Sequence, residues 1–155
     1  MPDISTLTHS PADVVRWLLI AAGQGTEPIT NYDWPIHVSL EPDYPEQCIT
    51  IYDTGGVTFG NFQPTGEEQE YPGLMIQVRS NTHKIGYQKT DSLTKYIDQS
   101  VLNQTVTVTD ENGNENTYKV NNLIRQGTIN NLGKDPDDSR FRFTVNFLVS
   151  LRQTS

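Results

Sequence analysis

The last part of the chain alternates apolar and polar side chains over thirteen positions with one break, and this pattern constrains the fold more than any other. Phe141, Phe143, Val145, Phe147, Val149 and Leu151 fall on one side, and Arg140, Arg142, Thr144, Asn146, Ser150 and Arg152 on the other. Only Leu148 breaks the alternation. Successive side chains of a β-strand point to opposite faces, so this segment is a strand with one aromatic face and one cationic, polar face. Its register is hard to slip, because a shift of one residue would expose every aromatic ring.

Around that strand the sequence reads as alternating elements. Ser10, Pro11 and Asp13 give a helix start: a capping hydroxyl, a proline where no N–H is needed, and an acid suited to the dipole. Val14, Val15, Trp17, Leu18, Leu19 and Ala22 supply its apolar stripe, and Gly23-Gln-Gly25 ends it. Ile36, Val38 and Leu40 predict a short strand, broken by Pro42 and Pro45, and Gln47–Tyr52 predicts another, closed by a turn at Asp53-Thr-Gly-Gly56. Residues 57–73, with Gly60, Pro64, Gly66, Pro72 and Gly73 around Glu67, Glu68 and Glu70, predict a long exposed acidic loop of the kind that orders on a partner.

Leu74, Ile76 and Val78 predict a strand, and residues 84–102 a helix with Leu93, Ile97 and Val101 on one side. A strand at 104–109 then turns at Asn112-Gly113 and returns through Tyr118 and Val120. The adjacent Leu123 and Ile124 predict a bulge, 128–132 continues the strand, and 133–138 is the next turn. The expected fold is α+β: one domain spanning 1–155, with an antiparallel (mixed) sheet, a closing three-stranded meander, and two helices packed on one face.

Charge and cysteine content exclude several function classes. A net charge of -8 repels phosphates, so nucleic-acid recognition through a basic patch is not expected, although an acidic wall suits DNA that slides past without being held. A single cysteine, Cys48, allows neither an intramolecular disulfide nor a cysteine metal cluster, and beside apolar strand residues it reads as a buried thiol. Met1–Ser10 lacks the basic and apolar stretches of a signal peptide, and Trp17–Ala22 is too short to span a bilayer. A chain used in a reducing cytoplasm, or in a particle assembled there, is expected.

Few constellations point to chemistry. Asp110–Asn116 is rich in oxygen ligands, but its glycine is fourth rather than sixth and its twelfth position is Asn121, so it reads as a hairpin turn rather than a calcium loop. Asp135-Pro-Asp-Asp138 is an acidic turn. His9, His37 and His83 lie far apart and form no metal-binding spacing. No nucleophile elbow or phosphate-binding glycine loop is present, and Asn103-Gln-Thr105 is a glycosylation acceptor only in a secreted chain. No catalytic residue, metal or cofactor is therefore expected. Two candidate surfaces remain. Arg140, Arg142 and Arg152, taken together with Arg79, read either as a solvated sheet face or as a subunit interface meeting a neighbour's carboxylates. Glu67, Glu68 and Glu70 are a candidate partner for them, or the wall of a pore.

Several of these segments resemble the tail-terminator or minor-capsid family of tailed bacteriophages. They are Pro72-Gly-Leu-Met-Ile-Gln-Val-Arg79 and the helix after it, Gln126-Gly-Thr-Ile129 with Leu132-Gly133, and Phe141-Arg-Phe-Thr-Val-Asn-Phe147. The N-terminal helix, Trp34-Pro35, and a strand from Cys48 ending at Asp53-Thr-Gly-Gly56 are also similar; residues 57–71 lie outside the resemblance. It implies an α+β subunit of a six-membered ring in the virion. The ring caps the head-proximal end of the tail tube, stops its polymerisation and meets the head connector, with DNA passing through the lumen and no membrane involved. Other expectations are another head–tail joining or tube-like subunit, a binding module using Trp34, Tyr44 and Tyr52 as platforms, and a small carboxylate hydrolase or isomerase with a concave acidic pocket.

Overall fold

The alternating C-terminal segment becomes the spine of the sheet. In a computed structural model describing residues 7–28, 33–58 and 70–154, the elements are α1 (Pro11–Ala21), β1 (Ile36–Val38), β2 (Cys48–Thr58), β3 (Glu70–Ser80), α2 (His83–Ser100), β4 (Leu102–Thr109), β5 (Glu115–Arg125), β6 (Asn130–Lys134) and β7 (Phe141–Gln153). Strand order is β1-β2-β3-β7-β5-β4, with β6 beside β7 and off that path. One flank of β7 pairs with β3 from Phe141 to Leu148. The other is shared, β6 taking Phe141–Thr144 and β5 taking Phe147–Gln153. All pairings are antiparallel except β1 with β2, so the sheet is mixed.

Both helices cover the aromatic face. Ser10 caps α1, its Oγ accepting from the Asp13 N–H at 3.4 Å, Pro11 opens the first turn, and Gly23 leaves the helix at φ 77°. Ala12, Val14, Val15, Leu18 and Leu19 are buried in one cluster with Ile76, Leu93, Ile97, Tyr118, Val145 and Phe147. The sheet curls around α1, which packs on β4 at one end of the strand order and on β1 and β2 at the other. Thr90 and Thr94 of α2 donate their hydroxyls back to the Gly86 and Thr90 carbonyls, at 2.8 Å each, which satisfies two buried polar side chains inside the helix.

The fold class follows the sequence, and five local expectations are corrected. Asp53–Gly56 is not a turn: β2 runs through it with a register shift between Thr54 and Val57. A Cβ on Gly56 would collide with the Tyr71 carbonyl, and one on Gly73 with Thr54, so the glycines mark two strands that cross closely. The ends of the expected 57–73 loop, 57–58 and 70–73, are also strand, while 59–69 lie outside the described residues. The bulge falls between Val120 and Asn122 rather than at Leu123–Ile124, which points both Val120 and Leu123 inward and leaves Ile124 at the surface. Residues 128–132 do not extend β5. After Gly127, at φ 111°, β6 begins as a separate strand in line with it, and it includes Gly133 and Lys134. The short strand β1 stops at Val38, because Ser39 turns to φ 64° and throws Leu40 out to 75% exposure.

Gly86 is buried in α2 because Phe143 lies directly beneath it: a Cβ there would stand 2.8 Å from the ring, which is fully buried and has no room to yield. Replacing Gly86 with Val is expected to cost about 2–3 kcal/mol by overpacking, despite the better helix propensity, read as a lower denaturation midpoint at unchanged slope.

Candidate functional site

The register of β3 and β7 places two arginines directly opposite each other on the face away from the helices, Arg79 against Arg142, with Cys48 of β2 next in the row. Like charges facing across a ladder repel unless an anion lies between them. Here the anion is Glu41: its Oε1 is 3.4 Å from Arg79 Nη1 and 3.1 Å from Arg142 Nε. Arg79 spends its remaining donors on backbone carbonyls, Nη2 to Pro45 at 2.6 Å and Nε to Glu46 at 3.4 Å. Its side chain is only 2% exposed, and each of the three guanidinium nitrogens has a partner in this nearly dry site.

Arg140 fixes the same segment from one side, gripping Glu46 with Nε and Nη2 at 2.8 and 2.9 Å and the Asp43 carbonyl at 2.6 Å. Arg142 reaches the other way to the β6–β7 turn, 2.6 Å from Asp138 and 3.3 Å from Asp135. Residues 39–47 therefore form a strap across the back of the sheet, fastened by three arginines. Pro42 and Pro45 lack the N–H that would let this stretch join the ladder, so it crosses the strands instead of adding one.

These contacts set the charge states. The Arg140 guanidinium holds the Glu46 carboxyl below its usual range, and Arg142 does the same to Asp138. The hydrogen bond that Arg142 donates to Asp138 in turn pushes the guanidinium above its ordinary value. Burial pushes the Cys48 thiol up to about 11, which keeps it protonated at neutral pH. His37 is pushed down, by burial first and then by Arg16 and Arg79. His37 and Thr50 are register partners at this end of the sheet, and His37 Nε2 and Thr50 Oγ1 are buried with no hydrogen-bond partner.

Of the four arginines singled out in the sequence, three belong to this cluster, and among the described residues they meet carboxylates of their own chain, at 41, 46, 135 and 138. The fourth, Arg152, is exposed opposite Lys119 and makes no ion pair among the described residues. Glu67 and Glu68 lie outside the described residues, and Glu70 opens β3 opposite Thr58. The histidines stay apart. His9 Nδ1 lies 2.8 Å from the buried Tyr118 hydroxyl, which accepts the His9 backbone N–H at 2.9 Å, and His83 stacks on Tyr87 beside Phe141 and Phe143. Asp110 Oδ1 accepts the Asn112 and Asn114 N–H groups at 2.9 Å each, which makes the calcium-like segment a self-bonded turn. Among the described residues no group of three or more metal-ligating side chains converges. Trp34 is half-buried beside Lys89 while Tyr44 is 72% exposed, so these two are not one platform. The strap itself was missed; its only signal was Glu41 and Glu46 interleaved with two prolines between strands. No protein-family model matches the chain, and no curated protein matches it.

Glu46 and Asp138 have folded-state pKa values below their unfolded ones, so their stabilisation is complete above about pH 4–5 and fades as pH falls through the folded values. The melting temperature is expected to be flat from neutral pH to about pH 5 and then to drop, with a shallower acid limb in Asp138→Asn. Glu41→Gln, which leaves two guanidiniums facing each other without an anion, is expected to cost about 3 kcal/mol, and Glu46→Gln, at an exposed carboxylate, much less. Equal effects in chemical denaturation would remove Glu41 from its bridging role.

Proposed function

We propose that this chain is a structural subunit of a tailed-phage particle, of the tail-terminator kind: copies assemble into a ring, six by the resemblance, that caps the tail tube and meets the head connector. The observation that carries the reading is a two-stranded arm. Strands β2 and β3 stay paired out to Thr58 and Glu70, whereas β1 leaves β2 at Ile51 and β7 leaves β3 at Gly73. Beyond those points, among the described residues, the ribbon has neighbours on neither edge within the sheet. An isolated two-stranded ribbon is marginal in water, so an arm of this kind gains stability by lying against another subunit. Val57, on the arm, is an apolar side chain left 45% exposed. The net charge of -8 supports a lumen that passes DNA without holding it. Another head–tail joining or tube-like subunit shares this layout, and position in the assembled particle separates the two.

Electron microscopy of the purified protein, alone and with tail tubes, tests the reading. Rings, or density capping one tube end, are expected; a monodisperse protein that ignores tubes overturns it. Gly56→Ala places a methyl group against the Tyr71 carbonyl at the base of the arm. It is expected to lower the melting temperature by a few degrees and to abolish capping, whereas normal capping would show that the arm is not used.

A further inference from the structure

The sheet ends at β4, and that end is unusually unguarded. Its eight residues, Leu102–Thr109, pair with β5 on one side only. Among the described residues no backbone group on its outer side has a partner. Natural edges are blunted by charges, prolines, bulges or a covering element. Between 102 and 109 the sequence is Leu-Asn-Gln-Thr-Val-Thr-Val-Thr, with no charge and no proline, and the β4–β5 register from Gln104 to Thr109 is unbroken. Thr105, Thr107 and Thr109 are exposed, while Val106 and Val108 are buried in the core. Beside the edge, on the helix side, runs a groove lined by Trp17, Ala21 and Ala22 of α1 and Tyr96 of α2, with no charged residue in its lining.

We infer that β4 is a strand-addition surface for a second copy of this chain, the two β4 strands pairing antiparallel across a two-fold axis normal to the sheet. The absence of charge along the edge suits this occupant. Two copies that each carry -8 repel over most of their surfaces, and close contact is cheapest where neither presents a charge. Such an axis keeps both helical layers on one side, so threonines meet threonines and valines meet valines, pairs that favour a sheet. A slip by one residue would turn the buried valines outward, which fixes the parity of the register. The nearest acid, Asp110, follows the end of the strand. In an antiparallel pair centred near Val106 the two copies of it stand roughly 25 Å apart, beyond the Debye length of about 8–10 Å at ordinary salt. The groove then receives side chains from the added strand, as alternate residues do in strand addition generally. An interface of this kind is isologous and closes as a dimer, so it stands independently of the ring.

Sedimentation equilibrium of the full chain from about 1 to 200 μM, a range that brackets weak self-association, is expected to show a monomer–dimer equilibrium. In Thr105→Lys/Thr107→Lys, where exposed side chains gain like charges that meet across the axis, the dimer dissociation constant should rise at least 100-fold with the circular-dichroism melt unchanged. Monomer throughout the range for the parent, or undiminished dimer in the double lysine variant, overturns the proposal. Loss of tube capping in that variant while the parent stays monomeric also overturns it, and assigns the edge to a different partner. Failure of capping by the parent, with the dimer intact, counts against the ring alone.

Discussion

Nearly everything in this molecule is positioned by the hydrogen bonding of β7 on both flanks at once. A strand paired on both sides has no freedom left in register or tilt, and thirteen residues of it act as a ruler for the rest. β3 is measured against its first eight residues on one side, β6 and then β5 against its two halves on the other. The same ladder fixes which side chains look inward. Phe143, Val145, Phe147 and Val149 floor the core beneath the helices, and Gly86 is the opening that Phe143 requires in α2. It also decides that Arg142 must face Arg79, which creates an electrostatic problem on the opposite side.

That problem is solved by the strap. Opposed guanidiniums in a site where Arg79 is almost wholly shielded from water would repel strongly, since screening weakens as the local dielectric falls. Glu41 between them turns a repulsive pair into an alternating row of charges. The carbonyls of Pro45 and Glu46 complete the Arg79 fork, so little of its buried hydrogen-bonding capacity is wasted. Apart from one backbone bond, from the Ser39 N–H to the Ile51 carbonyl, residues 39–47 have no ladder of their own and are fastened to the strands by these side chains. The cost appears nearby: Thr50 and His37 each bury a polar atom without a partner.

What was legible in the sequence was whatever repeats with a period. The two helices, the α+β class and the faces of β7 follow from alternation, caps and stripes. The irregularities were legible as irregularities but not as what they are. Leu148 breaks the pattern of β7 and Ile124 that of β5; the structure pairs them with each other on the outer face, so each apolar residue has the other for cover. The bulge moved toward the N-terminus because it serves the inward pair Val120 and Leu123, a choice that depends on β7 and not on β5 alone. Gly55 and Gly56 looked like a turn because glycine is read as flexible; here Gly56 is needed for close approach to β3, which depends on a strand seventeen residues further on. The arginines were recognised as a set, but Glu46 lies 94 residues from Arg140 and Glu41 101 residues from Arg142, beyond any local pattern.

The strap also changes what the charge of this chain means. Arg79, Arg140 and Arg142 are consumed by carboxylates of their own chain, and Arg125 and Lys95 are paired with Asp98 and Asp91. Five of eleven cations are thus tied to acids, and the back of the sheet, which by sequence looked like a cationic face, is electrically quiet. A chain with that distribution has no concentrated positive patch to offer phosphate, and the acids left over give it a diffuse negative field. Contact between identical subunits then has to come from surfaces where charge is absent. Unpaired backbone meets that condition, because an amide edge is as complementary to a second copy of itself as to any other strand.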